Sequence, residues 1–243
     1  MDTHGRALLS VDSMVFAWAG ASAPCLAIDH LEIGAREAVF MRGPSGCGKS
    51  TFLSLAAGVL TPNQGHVSLL GQDWKQRSAA QRDRLRADHV GYVFQQFNLL
   101  PYLSVLQNVM LPCRFSLRRA ERCTSLGGPE RAAQQVLEKV SLGAEYWGRK
   151  ATHLSVGQQQ RVAAARALMG QPELVIADEP TSALDESLRD DFVAMLRAAC
   201  TSGGSALLFV SHDAQLAARF DRQIDLPSIN SALRVRRAAK VLP

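Results

Sequence analysis

The chain has 243 residues, 47% of them hydrophobic and 20% charged, with a formal net charge of +5. This is the make-up of a folded globular chain, long enough to bury a proper core as one large domain or two small ones. No run of about 18 apolar residues occurs, which argues against a transmembrane helix. Met1–Arg6 leads into no sustained apolar run either, so no signal peptide is expected and a cytosolic location is.

Five cysteines occur, at Cys25, Cys47, Cys113, Cys123 and Cys200. The number is odd and no CxxC pair is present, which fits free thiols in a reducing compartment better than a disulfide framework or a zinc site. Arg234, Arg236, Arg237 and Lys240 form a basic cluster near the end of the sequence. Such a cluster can touch nucleic acid or an anionic membrane, but a solvated, frayed terminus is the plainer reading. No nucleic-acid partner is expected.

Taken in chain order, Leu8 to Val11, Met14 to Trp18 and Leu26 to Ile33 read as β-rich runs, the last two separated by the turn cluster Ala19 to Pro24. Glu37 to Met41 reads as a compact apolar strand that runs into a Gly-rich loop, with a helix from about Lys49 to Ala57. His66 to Leu70 is a further strand, ended by Gly71. Ser78 to Asp88 is charged and helix-permissive, and Val90 to Phe94 is a strand leading to Gln95.

From Asn98 to His153 the texture changes. Pro101, Pro112 and Pro129 punctuate it, and Ala133, Val136, Leu137 and Val140 recur at helical spacing, so this stretch reads as a mostly helical insertion. A helix follows from about Ser155 to Met169. Leu174 to Ala177 is then a buried, parallel-type strand. Another helix spans Glu186 to Ala199, with a break at Gly203-Gly204, and Ala206 to Val210 is a further buried strand. Apolar strands alternating with helices predict an α/β core around a mainly parallel sheet.

Gly43-Pro44-Ser45-Gly46-Cys47-Gly48-Lys49-Ser50 fits GxxxxGK[ST] in full, after a strand and before a helix. The glycines let backbone N–H groups turn inward around an anion, and the helix N-terminus adds partial positive charge where a β-phosphate would lie. Lys49 supplies a compact charge for the β- and γ-phosphates, the Ser50 hydroxyl suits Mg²⁺, and Thr51 is placed for the α-phosphate. Cys47 occupies a variable motif position and reads as filler rather than as a reactive thiol.

Phosphoryl transfer to water also needs a metal shell and a group that orients the water. Asp178 and Glu179, at the end of the Leu174–Ala177 strand, offer both: Asp178 for the Mg²⁺ shell and Glu179 as general base. Two acids after an apolar strand often only cap it. With a phosphate loop in the same chain they make a P-loop ATPase.

The remaining motifs resemble those of the ABC ATPase family. Leu154-Ser155-Val156-Gly157-Gln158-Gln159-Gln160-Arg161 resembles the family's signature sequence, with Ser155, Val156, Gly157 and Gln158 as the stretch that meets ATP in trans. Gln95 resembles the Q-loop glutamine, Ser182-Ala183-Leu184-Asp185 the D-loop, and His212 the switch histidine. Trp18 resembles the aromatic that stacks on adenine, with Phe16 as its neighbour. These elements stand in the family's order from about Leu9 to Asp225.

The resemblance implies a P-loop NTPase core with a mainly parallel sheet, an N-terminal antiparallel β subdomain and a helical insertion subdomain. The core would comprise 1–95 and 154–225, the helical part 96–153, and 226–243 a short basic tail. It implies ATP and Mg²⁺ as cofactors, with Ser50, Gln95 and Asp178 on the metal, and Glu179, His212, Lys49 and Gln95 in the chemistry. It also implies a head-to-tail homodimer that sandwiches two ATP molecules. A separate integral membrane permease subunit would hold the chain at the cytoplasmic side of the inner or plasma membrane.

Val93 to Pro101, with Ser104 to Val109, is similar to the group containing lipoprotein-release, macrolide-efflux and cell-division ATPases. Extrusion is the reading this favours. A mechanotransmitting ATPase of the cell-division type and a solute importer are the alternatives. One departure stands out: the third signature position, usually glycine, is Val156. A β-branched residue strongly disfavours φ > 0, so the position must adopt a negative φ or the loop must meet the γ-phosphate less closely.

Overall fold

The computed structural model describes residues 7–182 and 184–233; Ala183 of the D-loop and the basic cluster Arg234, Arg236, Arg237 and Lys240 lie outside them. β1 (Leu9–Phe16) and β2 (Leu26–Ile33) form an antiparallel pair, and β1 also pairs antiparallel with β4 (Gln64–Leu69). The two runs expected before Ala19 are therefore one strand. It bends at Ser13 (φ 48°), where the register against β4 shifts between Asp12 and Val15. Gly65 makes the bend possible: a Cβ there would lie 2.1 Å from the Ser13 carbonyl oxygen. With β5 (Gln72–Asp73) the order of this sheet is β2-β1-β4-β5.

The second sheet takes β3 (Ala38–Arg42), β6 (Val90–Val93), β7 (Leu174–Asp178), β8 (Ala206–Val210) and β9 (Arg222–Asp225), in the order β6-β7-β8-β3-β9, with every neighbouring pair parallel. β3, β6, β7 and β8 are buried on both faces, which is why they read as continuous apolar runs, whereas the edge strand β9 is mostly exposed. Alternate residues feed two cores. Phe40, Val175, Ala177, Leu207 and Phe209 face one, whereas Val39, Met41, Ile176, Leu208 and Val210 face the other. In the first, the Phe40, Phe209 and Phe220 rings lie 5.2–6.2 Å apart. In the second, the sheet meets the antiparallel sheet across α1 (Lys49–Ala56).

Between the strands run α2 (Ala79–His89), α3 (Val105–Phe115), α4 (Leu117–Arg122), α5 (Pro129–Lys139), α6 (Val156–Leu168) and α7 (Glu186–Gly203). Capping boxes at Ser78, Ser104 and Ser155 fix three of these starts, each closed by a glutamine three residues on. Of the punctuating prolines, Pro129 is the first residue of α5, but Pro112 lies inside α3. Only three residues follow it there, so a single lost backbone bond does not end the helix. α7 outruns its expected end at Ala199 because the stop signal is Gly204, left-handed at φ 74°.

The last described segment is not a free tail. α8 (Leu226–Ile229) follows β9, Leu226 is fully buried, and the fully buried Asn230 donates to the Cys25 carbonyl at 3.0 Å while accepting from the Ala27 N–H at 2.9 Å. Residues 226–233 thus pack on β2. No apolar helix long enough to cross a membrane occurs among the described residues.

Candidate nucleotide site

The carboxyl ends of β3, β6, β7 and β8 lie side by side, because Met41 pairs with Val210, Asp178 with Val210, and Val93 with Ala177. Ligands of open α/β sheets bind at this edge. The residues just beyond these ends are the phosphate-loop motif, Gln95, Glu179 and His212, so four separate stretches of sequence converge.

The 43–50 loop leaves β3 and enters α1 through two left-handed glycines, Gly46 (φ 75°) and Gly48 (φ 103°). At Gly48 a Cβ would also meet the Leu26 side chain at 2.8 Å, and at Gly43 it would meet the Cys47 sulfur at 2.5 Å. These are positions where only glycine lets the backbone close this tightly. Pro44, Ser45 and Gly46 are exposed at the tip. Cys47 points the other way, into the second core, and burial pushes its thiol pKa up. It is packing, as its variable motif position implied, and only its backbone faces the loop.

Lys49 is buried, and its Nζ donates to the carbonyls of Gly43 at 2.8 Å and Pro44 at 3.2 Å. It also lies 3.6 Å from Glu179 Oε1. Glu179 is left-handed at φ 45°, a conformation costing on the order of 1–2 kcal/mol for a non-glycine residue. Its N–H still bonds the Val210 carbonyl at 3.0 Å, so the turn out of β7 is fixed at its base. The result is a carboxylate aimed at Lys49 on one side and at His212 Nδ1, 3.0 Å away, on the other. His212 is itself 64% exposed. Asp178 is half-buried. Burial raises its carboxyl pKa, neighbouring Glu179 raises it further, and Lys49 opposes both.

Gln95 lies in a turn two residues past β6, exposed. The turn is gripped from α6: Arg166 donates to the Phe97 and Asn98 carbonyls, each at 2.6 Å, and both of those residues have positive φ. α6 also reaches the end of β7, where the fully buried Gln160 donates to the Pro180 carbonyl at 2.8 Å. Arg166 was not singled out from sequence, and Gln160 entered only as a member of the signature stretch, with no role of its own. Their helical spacing of six places both on α6, but nothing local distinguishes them from solvated or core residues.

The signature turn stands apart. No hydrogen bond or ion pair joins Ser155–Gln158 to the phosphate loop among the described residues. Instead the turn is closed on itself, with the Gln158 N–H donating to Ser155 Oγ at 3.3 Å and the Ser155 N–H donating to Gln158 Oε1 at 2.9 Å. Val156 is the first residue of α6, has no positive φ and is 48% exposed. The position therefore needs no glycine for its backbone, and a Cβ at Gly157 meets nothing. Asp185 stands at the residue before α7, makes no side-chain capping bond and is exposed. Trp18 is 51% exposed and packs edge-on against Phe16 at 5.1 Å. Phe16 is buried in the core, so of the two aromatics only Trp18 presents a free ring face.

Behind Gln95 lies a groove of about 970 Å³ between α2, β6, α3 and α4, lined by Phe94, Pro112, Phe115, Leu117, Arg84 and Arg118 among others. Phe115 and Leu117 are about three-quarters exposed.

A parallel sheet whose carboxyl edge carries a glycine-wrapped lysine and a half-buried acid pair defines a P-loop nucleotide-hydrolase core. The comparison with known proteins narrows it. The sequence profile "ABC transporter" matches residues 26–182. The chain is 43% identical over 195 residues to the lipoprotein-releasing system ATP-binding protein LolD of Hydrogenovibrio crunogenus, covering 80% of this chain and 82% of that one. It is 42% identical over 190 residues to the uncharacterized ABC transporter ATP-binding protein YbbA of Escherichia coli K12, with 78% and 80% covered. In structure it resembles the ATP-binding cassette MJ0796 of Methanocaldococcus jannaschii, solved as a dimer in a post-hydrolysis state bound to ADP and Pi, at a TM-score of 0.79 and 32% identity over 90% of this chain and 94% of that one. The chain belongs to the ABC transporter family, as an ATP-binding subunit.

Proposed function

We propose that two copies of this chain close head to tail on two ATP molecules and hydrolyse them, and that the cycle drives a separate membrane subunit of lipoprotein-release or related extrusion type. The observation that carries the reading is the Lys49–Glu179–His212 constellation at the sheet's carboxyl edge.

In this reading the backbone N–H groups of 43–51 wrap the phosphates and Lys49 neutralises charge on the β- and γ-phosphoryl oxygens. Trp18 stacks on the adenine. Glu179 accepts the proton of the attacking water, with His212 fixing its carboxylate and contacting the γ-phosphate. The donor set Ser50 hydroxyl, Asp178 carboxylate and Gln95 amide consists of hard oxygens, with the Glu179 carboxylate adjacent in sequence, so the residues fit Mg²⁺. When bound, Mg²⁺ offsets charge on the phosphate oxygens. The partner copy supplies Ser155, Val156, Gly157 and Gln158 to the γ-phosphate, with Asp185 at the seam between the copies.

Residues 96–153 act as the helical unit that meets the membrane subunit. Its occupant in the groove is an amphipathic helix of that subunit, seated on Phe115 and Leu117, with Gln95 at the hinge between groove and nucleotide. The lipoprotein-release assignment comes from the relatives' names, and it is supported by identity over four-fifths of the chain.

The test is ATP turnover of the purified chain beside Glu179→Gln. The parent should hydrolyse ATP slowly and in a Mg²⁺-dependent manner. The variant should lose roughly 10²- to 10⁴-fold in rate, the scale of a general acid–base group, while still binding ATP and eluting as a dimer. A variant that turns over at the parent's rate removes Glu179 from the chemistry.

A further inference from the structure

Cys113 and Cys123 lie outside the nucleotide site and face each other across the corner between α3 and the end of α4, with their sulfurs 3.8 Å apart. Cys123 is buried and its thiol lies 3.1 Å from the Arg119 carbonyl, within donating distance, whereas Cys113 is only partly covered. We propose that this pair is a reversible dithiol site that low-molecular-weight disulfides of the glutathione type oxidise to an intramolecular disulfide.

The geometry sets the order of steps. Only Cys113 of the pair is accessible, so it attacks one sulfur of the small disulfide as its proton passes to the Cys123 sulfur 3.8 Å away. A mixed disulfide forms, and the first small thiolate leaves and takes up a proton. Cys123 then attacks the Cys113 sulfur, the protein S–S bond forms, and the second small thiolate leaves. The two protein thiols are oxidised, one small disulfide is reduced to two thiols, and the two cysteine protons end on them.

Bond formation needs the sulfurs to close from 3.8 Å to about 2.05 Å, about 0.9 Å of travel each. The shared hydrogen bond lowers the Cys123 pKa, with the nearby Arg119 charge helping, and raises that of Cys113 together with burial, so Cys123 is the side of the pair that takes up the shared negative charge and serves as the base for Cys113. The pair thus holds one thiolate more readily than an isolated thiol would. Both helices line the groove, through Pro112 and Phe115 from α3 and Leu117 and Arg118 from α4. The bond would fix that wall; an effect on a membrane partner rests on the reading of the groove given above, whereas the thiol chemistry is read on the chain alone, so the two can fail separately.

The experiment incubates the full chain with glutathione disulfide at neutral pH, alkylates the remaining thiols and weighs the product. Two thiols should be lost with no glutathione retained, and digestion should give a peptide linking Cys113 to Cys123. Cys123→Ser should trap one glutathione on Cys113, in a variant whose ATP binding matches the parent's. The oxidised parent should unfold about 5 °C higher than the reduced one, with the difference erased by dithiothreitol. Stable glutathione on Cys113 of the unsubstituted chain overturns the proposal. So does an unmodified Cys113 under conditions where Cys25 takes up glutathione.

Discussion

The two ends of the chain's nucleotide machinery are built differently. At the phosphate loop everything is assembled within one chain: Lys49 is buried, tied to two carbonyls of its own loop and set 3.6 Å from Glu179, which His212 holds from the far side. At the signature turn, Ser155 and Gln158 satisfy only each other, and Val156 is half in solvent. A pre-organised half-site binds without further ordering. A half-site folded back on itself has no work to do in a single chain. On the proposed dimer, the difference assigns binding to one copy and hydrolysis to two.

The sharpest way to break that comparison is Ser155→Arg. A long side chain at the start of α6 should block closure on a second copy, so turnover should fall by about 10²- to 10³-fold, the scale of losing an oriented donor at a developing charge. ATP binding by the single chain, followed by equilibrium dialysis, should stay within about twofold. If binding falls as far as turnover, the signature turn serves its own chain's nucleotide and the division fails.

Asp178→Asn separates stability from chemistry at the other end. Burial and Glu179 raise the Asp178 pKa, so the folded chain favours the neutral carboxyl. That contribution is complete below the ordinary aspartate value of about 3.9 and is lost as pH rises through the raised one. Without nucleotide, the variant should therefore unfold at a higher temperature than the parent at pH 7, and the gap should close toward pH 4. Its hydrolysis should fall about 100-fold, the size of a lost charge-stabilising group. A variant no more stable than the parent at pH 7 shows that the acid pair is not strained by its surroundings.

Glu173→Gln is the control at the opposite end of the same strand's approach. Glu173 precedes β7 and accepts hydrogen bonds from Arg118 at 2.7 Å and Arg122 at 2.6 Å, with His89 Nδ1 2.8 Å away. Burial alone would raise its pKa, but the hydrogen bonds from His89, Arg118 and Arg122 outweigh it and hold the carboxyl well below the usual range. Its contribution is present above the ordinary glutamate value of about 4.3 and is lost as pH falls below it. The variant should lose roughly 2 kcal/mol at pH 7 in urea unfolding and lack this acid limb, while turnover per folded molecule is unchanged. A matching loss of turnover would mean that the α4–β7 tie carries information to the site.

How much of this was open to reading from the sequence follows from where each signal is stored. The phosphate loop, Asp178-Glu179 and the strands around them are local patterns, so their positions were legible to within a residue or two. What lay hidden is what long-range contacts decide. β9 and α8 are four residues each and gain their order from β3 and β2. Two runs before Ala19 looked separate because Asp12 and Ser13 are polar, yet Gly65 on another strand lets them continue as one. Arg166 and Gln160 look like ordinary helix residues until the carbonyls they hold, some 20 to 69 residues away, are in place.

Val156 is the smallest effect and the one that sharpens the comparison most. The backbone there is helical, so the valine is not strained, and its cost must come from its side chain rather than from φ. Half-exposed in one chain, that side chain would stand between Ser155 and the nucleotide of the other. Val156→Gly removes it at a small loss of helix propensity at the first position of α6, where the preference is weakest felt. Turnover should rise about threefold, equivalent to about 0.65 kcal/mol of barrier, with ATP affinity of the single chain unchanged. The dependence of rate on protein concentration distinguishes the causes. If glycine shifts the curve to lower concentration, the valine hinders closure; if it raises only the plateau, the valine displaces the signature turn within a dimer that already forms. No change in either would mean that Gly157 and Ser155 alone set the contact and that the third signature position is free to vary in this chain.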